Sequence, residues 1–252
     1  MPRLAFGMLI KEGHKRVMLD IPVAILAGGL ATRLLPLTEK IPKSLVSVNG
    51  RPFLSHQLAL LRSQGIRRAV LCAGHLGEMI REEFRDGSGC GVHLDYSFDG
   101  PVLLGTGGAI LKALPLLGET FFVLYGDSYL PVDFRLVADA FALGGKAAMM
   151  TVFPNENRWD TSNVFYQENR IVLYDKKRRL PEMRHIDYGL SILTPAAFEG
   201  FIPGVFCDLA DVLASLVARN QLAGCEVSER FYEIGSQAGL EEFEKFLHTQ
   251  NL

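Results

Sequence analysis

Residues 22–43 read PVAILAGGLATRLLPLTEKIPK, and the way this stretch divides decides the fold. Its first six residues form an apolar run with no polar alternation, which predicts a strand buried on both faces of a parallel sheet. Gly28 and Gly29 end the run, and backbone N–H groups with no Cβ in front of them form a surface that an anion can approach. Thr32 adds a hydroxyl donor, Arg33 a permanently charged planar fork, and Lys43 a mobile positive charge. The GxxxxGK[ST] spacing of the P-loop and the GxGxxG of dinucleotide binders are both absent. Two glycines alone would merely close a strand. Joined to Thr32, Arg33, Pro36 and Lys43, they point to a triphosphate site: Ala27, Gly28, Gly29 and Thr32 line the nucleotide, and Arg33 and Lys43 act on its phosphates.

Outward from this stretch, residues 69–73 (AVLCA) and 121–125 (FFVLY) are apolar runs of the same kind. Helical spacing of apolar residues marks 53–64, 76–84, 109–117 and a segment near 133–142, and residues 92–96 alternate as a strand. Strand and helix alternate, which predicts an α/β fold: a doubly wound, mostly parallel, Rossmann-like sheet flanked by helices. The second half is richer in β structure. It predicts strands at 147–153 and 186–193, a hairpin over 163–175 turning at Glu168 and Asn169, and an extended segment at 227–234. Helices are expected at 208–219 and 240–247. No compositional shift cuts the chain, so residues 21–252 read as a single domain behind an N-terminal extension at 1–20.

A formal charge of -2 removes any global reason to expect nucleic acid or an anionic membrane as partner, so anion binding must be local. Four separated cysteines, with no CxxC pair, argue against a zinc site or disulfide framework and for a reducing, cytoplasmic setting. No apolar run reaches the ~18 residues a spanning helix needs. A homo-oligomer stays open.

Asp127 follows the apolar run at 121–125 after one glycine, which puts its carboxylate at the C-terminal edge of the sheet, where open α/β folds bind ligands. A triphosphate bound at that edge calls for a divalent cation, and Mg²⁺ held by Asp127 is the reading, set against the plainer role of a helix cap for the segment near 133–142. The string LGTGG at 104–108 precedes the helix expected from Ala109. Backbone at Gly105, Thr106 and Gly107 can lie flat against a base, with Gly74, after the second strand, as the opposite wall.

The chain resembles the sugar-1-phosphate nucleotidyltransferases, whose signature is a strand followed by GGxGTRL, PLT and PK. The likeness runs from about residue 21 to the last helix, with Ala31 where the loop usually has glycine. It implies that Asp127 is a metal ligand and Glu233 the second, although Glu233 and Ser236 stand where the family has Asp and Thr. It further implies that Lys176, oriented by Asp175, contacts the acceptor phosphate. Asp187 and Gly189, in place of Asn-Gly-Gly, would contact the sugar. The β-rich second half then forms the acceptor side.

The LGTGG string looks most like members that use GTP with mannose- or heptose-type 1-phosphates. Uridylyl, thymidylyl or cytidylyl transfer, a glycosyltransferase on a similar sheet, and a catalytically silent nucleotide sensor stay open. The expected reaction is an in-line displacement at the α-phosphorus by the sugar phosphate, with Arg33, Lys43 and Lys176 as its catalytic cations.

Overall fold

A computed structural model of the chain describes residues 19–29, 34 and 38–250. Its central strands are β1 (Val23–Leu26), with the β2 (Ser47–Val48) and β3 (Arg51–Pro52) ribbon behind it, then β4 (Arg68–Ala73), β5 (His93–Phe98) and β6 (Phe121–Tyr125). Strands β5, β4, β1 and β6 lie side by side in that order, all parallel. Between them run α1 (Phe53–Ser63), α2 (Gly77–Phe84) and α3 (Gly105–Leu117), so the alternation in the sequence becomes parallel crossovers.

The two faces are wound separately, as alternate residues of β1 report. Val23 and Ile25 pack with Leu54, Leu58 and Leu61 of α1 and Ile80 of α2, whereas Ala24 packs with Ile110 and Ala113 of α3. Each fully buried leucine of that stripe contributes about 1.5–3 kcal/mol. This is why an unbroken apolar run was needed at β1.

The second half adds β7 (Ser128–Tyr129), α4 (Phe134–Gly144), β8 (Ala148–Pro154), β9 (Val164–Gln167), β10 (Arg170–Tyr174) and β11 (His185–Leu193). It closes with α5 (Leu209–Ala218), β12 (Leu222–Glu226), β13 (Tyr232–Glu233) and α6 (Gln237–Gln250). Strand β11 joins the parallel block antiparallel to β6, and β8 lies antiparallel on β11. The β9–β10 hairpin turns at Glu168 and Asn169, both at positive φ (52° and 60°), as its two-residue loop requires. Among the described residues, this sheet has nine strands.

The structure departs from the sequence-based boundaries in three places. Strand β12, parallel to β8, was not expected, because LAGCE lacks both β-branched residues and clean alternation. Of the segment 227–234, only Tyr232–Glu233 forms a strand, pairing with β7 instead of joining the main sheet. Helix α3 begins at Gly105, four residues before Ala109, so the glycine string is its first turn and not a loop ahead of it.

Candidate active site

All the parallel strands end on the same edge, and the site is built there. The register sets Leu26 opposite both Cys72 and Tyr125, so the residues after β1, β4 and β6 emerge together. A Cβ on Gly28 would lie 2.9 Å from the Gly74 nitrogen, and one on Gly74 would lie 2.8 Å from the Gly28 oxygen. The two backbones touch, which explains the glycine at each. Gly29 differs: a Cβ there would meet nothing within 4 Å, so its backbone faces open space. Ala27, Gly28, Gly29, Lys43, Gly105, Thr106 and Asp127 line one cleft of about 260 Å³. Gly74, expected as the opposite wall, is not among the residues lining this cleft, because it packs against the Gly28 backbone. Ala31, Thr32 and Arg33 lie outside the described residues.

Asp127 is not a helix cap. Asp133 caps α4, its carboxylate accepting from the Arg135 N–H, which leaves Asp127 for other work. The Lys43 ammonium meets Asp127 Oδ2 at 2.8 Å. The loop that carries Asp127 is held by a residue the motifs did not single out. Gln57 of α1, 1% exposed, donates Nε2–H bonds to the carbonyls of Tyr125 (2.9 Å) and Ser128 (2.7 Å), clamping both ends of the turn. A glutamine at an apolar-face position of a helix was the available signal, since a buried amide must have found partners.

Glu233 faces Ser128 across the β7–β13 pair, and the Ile234 N–H donates to the Asp127 carbonyl at 2.9 Å. One carboxylate therefore sits in the turn before β7 and the other in β13, and both border a second cleft of about 380 Å³. Among the described residues, no group of three or more His, Cys, Asp or Glu side chains forms a closed metal cage. Two carboxylates beside the Lys43 ammonium fit Mg²⁺, which keeps waters and further oxygen ligands in its shell, and do not fit a buried all-protein site.

The second cleft also holds Asp175, Lys176, Arg178, Asp187 and Gly189, together with Tyr125 and Asp127, which line both clefts. Asp175 does not orient the Lys176 side chain. Its Oδ1 takes the N–H groups of Lys177 and Arg178, which fixes the turn and lowers its pKa. Lys176 instead reaches the Tyr125 hydroxyl at 3.3 Å, with its ammonium over the ring. Asp187 is committed as well: Oδ1 accepts from Gly189 N–H and Oδ2 from Tyr174 O–H, both at 3.0 Å. That pairing braces the register shift of β11 beside the cleft and commits one lone pair on each carboxylate oxygen.

Burial, with Asp187, Asp208, Asp127 and Glu233 nearby, pushes the Tyr125 phenol well above its ordinary range. It stays a neutral donor where the clefts meet. Burial and then Asp99 push the Cys72 thiol up to about 12, so it is an apolar wall and not a nucleophile.

The glycine string is used differently from its sequence reading. The N–H groups of Gly107 and Gly108 both donate to the Cys207 carbonyl, at 2.9 and 3.1 Å. A Cβ on Gly105 would lie 2.6 Å from that same oxygen. The Thr106 hydroxyl bonds the Asp208 carboxylate and accepts from the Leu209 N–H, tying α3 to the start of α5. Hence Gly107 offers no N–H to a base, and the glycines admit the 205–208 segment. Gly105 and Thr106 still form part of the cleft wall.

A family model described as Nucleotidyl transferase matches residues 23–163. The N-acetylmuramate alpha-1-phosphate uridylyltransferase of Neisseria meningitidis is 30% identical over 225 residues, covering 86% of this chain and 94% of that protein. The D-glycero-alpha-D-manno-heptose 1-phosphate guanylyltransferase of Campylobacter jejuni is 29% identical over 212 residues, covering 84% and 93% respectively. Among solved structures, the inositol-1-phosphate CTP transferase of T. maritima shares the fold, with a TM-score of 0.75 at 22% identity over 92% of this chain and 97% of that one. No helix among the described residues is long and apolar enough to cross a membrane.

Proposed function

This chain belongs to the nucleotidyl transferase family, and from that premise we propose that it joins GTP to a mannose- or heptose-type sugar 1-phosphate, giving a nucleotide sugar and pyrophosphate. The observation that carries the two-substrate reading is the pair of adjoining clefts. One ends in apolar walls, the other is lined by Lys176, Arg178 and several acids, and they share Asp127 and Tyr125. A nucleotide laid in the first would present its α-phosphate at that shared boundary, facing an acceptor phosphate in the second.

An oxygen of the sugar phosphate attacks the α-phosphorus. The bond to the β-phosphate breaks, and pyrophosphate leaves with the electron pair. Lys43 moves from Asp127 to the triphosphate, and Arg33 is assigned to the same phosphates from its place in the sequence. Lys176 leaves the Tyr125 hydroxyl for the acceptor phosphate, and the Tyr125 phenol donates to whichever anion replaces it. Mg²⁺ held by Asp127 and Glu233 would supply the charge that lets two polyanions meet. Positioning and charge neutralisation are then the whole of catalysis, with no covalent intermediate.

UTP is the second reading, favoured by the 30% identity to a uridylyltransferase. A matrix of four nucleoside triphosphates against several sugar 1-phosphates, read by pyrophosphate release with Mg²⁺, tests both. Release dependent on GTP and a sugar 1-phosphate is expected. Silence across the matrix overturns the assignment.

A further inference from the structure

Asp160, Thr161, Ser162 and Asn163 form one wall of the second cleft, which Glu233 also lines. The wall belongs to the 155–163 loop between β8 and β9, and the loop is built around Asn155, which is fully buried. Asn155 Nδ2 donates to the Asp160 carbonyl (2.6 Å) and the Ser162 hydroxyl (3.1 Å), and its Oδ1 accepts the Trp159 N–H at 3.2 Å. Asn157 and Ser162 exchange two more bonds. The ends of the loop are fastened beside β11: the N–H groups of Asn155 and Glu156 donate to the Arg184 carbonyl, and that of Asn163 to the His185 carbonyl. Between those ends Trp159 is 46% exposed, so burial alone does not hold it.

What covers the indole is a cation from another segment. The Arg230 guanidinium lies over the Trp159 ring, with Cζ 3.5 Å from the centroid. The same group lies 4.9 Å from the Tyr232 ring and pairs with Glu242 of α6. Arg230 Nε is buried with no hydrogen-bond partner among the described residues. A guanidinium desolvated in this way against aromatic faces is in the setting where a cation–π contact is strongest. Beyond Arg230, β13 is fastened separately. It pairs with β7, the Ile234 N–H meets the Asp127 carbonyl, and Tyr232 stacks on Phe246 at 4.2 Å.

We propose that Arg230 is a positioning residue for the acceptor: by holding the Trp159 indole, it fixes the 160–163 wall relative to the strand that carries Glu233. This rests on the second cleft being the sugar-phosphate site. A wall ordered in advance spares the acceptor the entropy of ordering it, and that saving appears in the acceptor KM. The first cleft takes no residue from the 155–163 loop, so nucleotide binding should be indifferent to Arg230.

Trp159 is the only tryptophan in the chain, so its fluorescence reports on this wall. Arg230→Met keeps an apolar stem and removes the cation. Acrylamide quenching of Trp159 should increase, and KM for the sugar 1-phosphate should rise about tenfold. KM for the nucleotide and the Mg²⁺ midpoint should stay within about twofold of the parent, because only acceptor binding is touched. Arg230→Lys, which returns a cation to the ring, should recover part of the acceptor KM. Trp159→Leu should reproduce the Arg230→Met effect, and the double variant should be no worse than either single one, since both remove one contact. Multiplying effects, or a folded Arg230→Met enzyme with unaltered acceptor KM, overturn the inference and leave nucleotidyl transfer standing. Equal losses for both substrates would assign Arg230 a purely structural role and overturn it too. An unaltered enzyme silent with every sugar 1-phosphate would remove the reading of the cleft itself, and the inference with it.

Discussion

Replacing Gln57 by leucine tests whether the Asp127 turn is held from outside the cleft. Wild-type Gln57 gives two hydrogen bonds, to the Tyr125 and Ser128 carbonyls, while its own Oε1 is buried without a partner among the described residues. Leucine fills similar volume but strands both carbonyls, at a cost of about 1–3 kcal/mol each, and removes the orphan oxygen, which offsets about one such penalty. The net loss is then about 1–3 kcal/mol, or a fall in Tm of about 2–4 °C per kcal/mol for a chain of this size. The functional effect should be larger than the stability effect. Released at both ends, the turn lets the Asp127 carboxylate drift, and a displacement of about 1 Å can cost about a hundredfold in rate. Urea unfolding gives the first quantity. Pyrophosphate release across a Mg²⁺ titration gives the second, where kcat should fall and the Mg²⁺ midpoint rise while KM for the nucleotide changes by less than about twofold. A folded Gln57→Leu enzyme with unaltered kcat and Mg²⁺ midpoint would refute the clamp.

Asp127→Asn should lower turnover by about a hundredfold or more, with raised Mg²⁺ recovering part of it; metal-independent residual activity would count against Asp127 as a ligand. Lys176→Met should raise KM for the sugar 1-phosphate about tenfold or more, since a charge-assisted phosphate contact is lost, and leave KM for the nucleotide within about twofold. Equal effects on both substrates would place Lys176 elsewhere. Burial raises the Asp99 pKa in the fold, so between that value and the ordinary carboxylate value the native state binds more protons than the unfolded chain. Stability therefore rises as pH falls through this window, and above it the cost of ionised Asp99 is fully present. Asp99→Asn should thus melt no lower than the parent at pH 8 and lose that segment of the pH profile, as calorimetry across pH 4–8 would show.

Sequence and structure agree most closely where a residue's fate depends on its neighbours in the chain. The unbroken apolar runs at β1, β4 and β6, the helical stripes of α1, α2 and α4, and the Glu168–Asn169 turn were legible because burial and twist leave a periodic local imprint. Asp127 was legible too, since a strand followed by Gly-Asp places a carboxylate on the sheet edge whatever the rest of the fold does.

Tertiary structure decided the matters that turn on contacts between distant segments. Whether LGTGG faces a base or another loop depends on the segment 205–208, about a hundred residues away, which occupies the Gly107 and Gly108 N–H groups. Gln57 bridging both ends of the Asp127 turn, Asp187 accepting from Tyr174, and Lys176 resting on Tyr125 are likewise pairings between separate segments. No periodicity encodes them, because hydrogen-bond partners are chosen by distance in space. The sequence by itself determined the sheet, its polarity and the edge where the chemistry sits. Only the packed molecule decided which polar groups at that edge are already satisfied and which remain to meet a ligand.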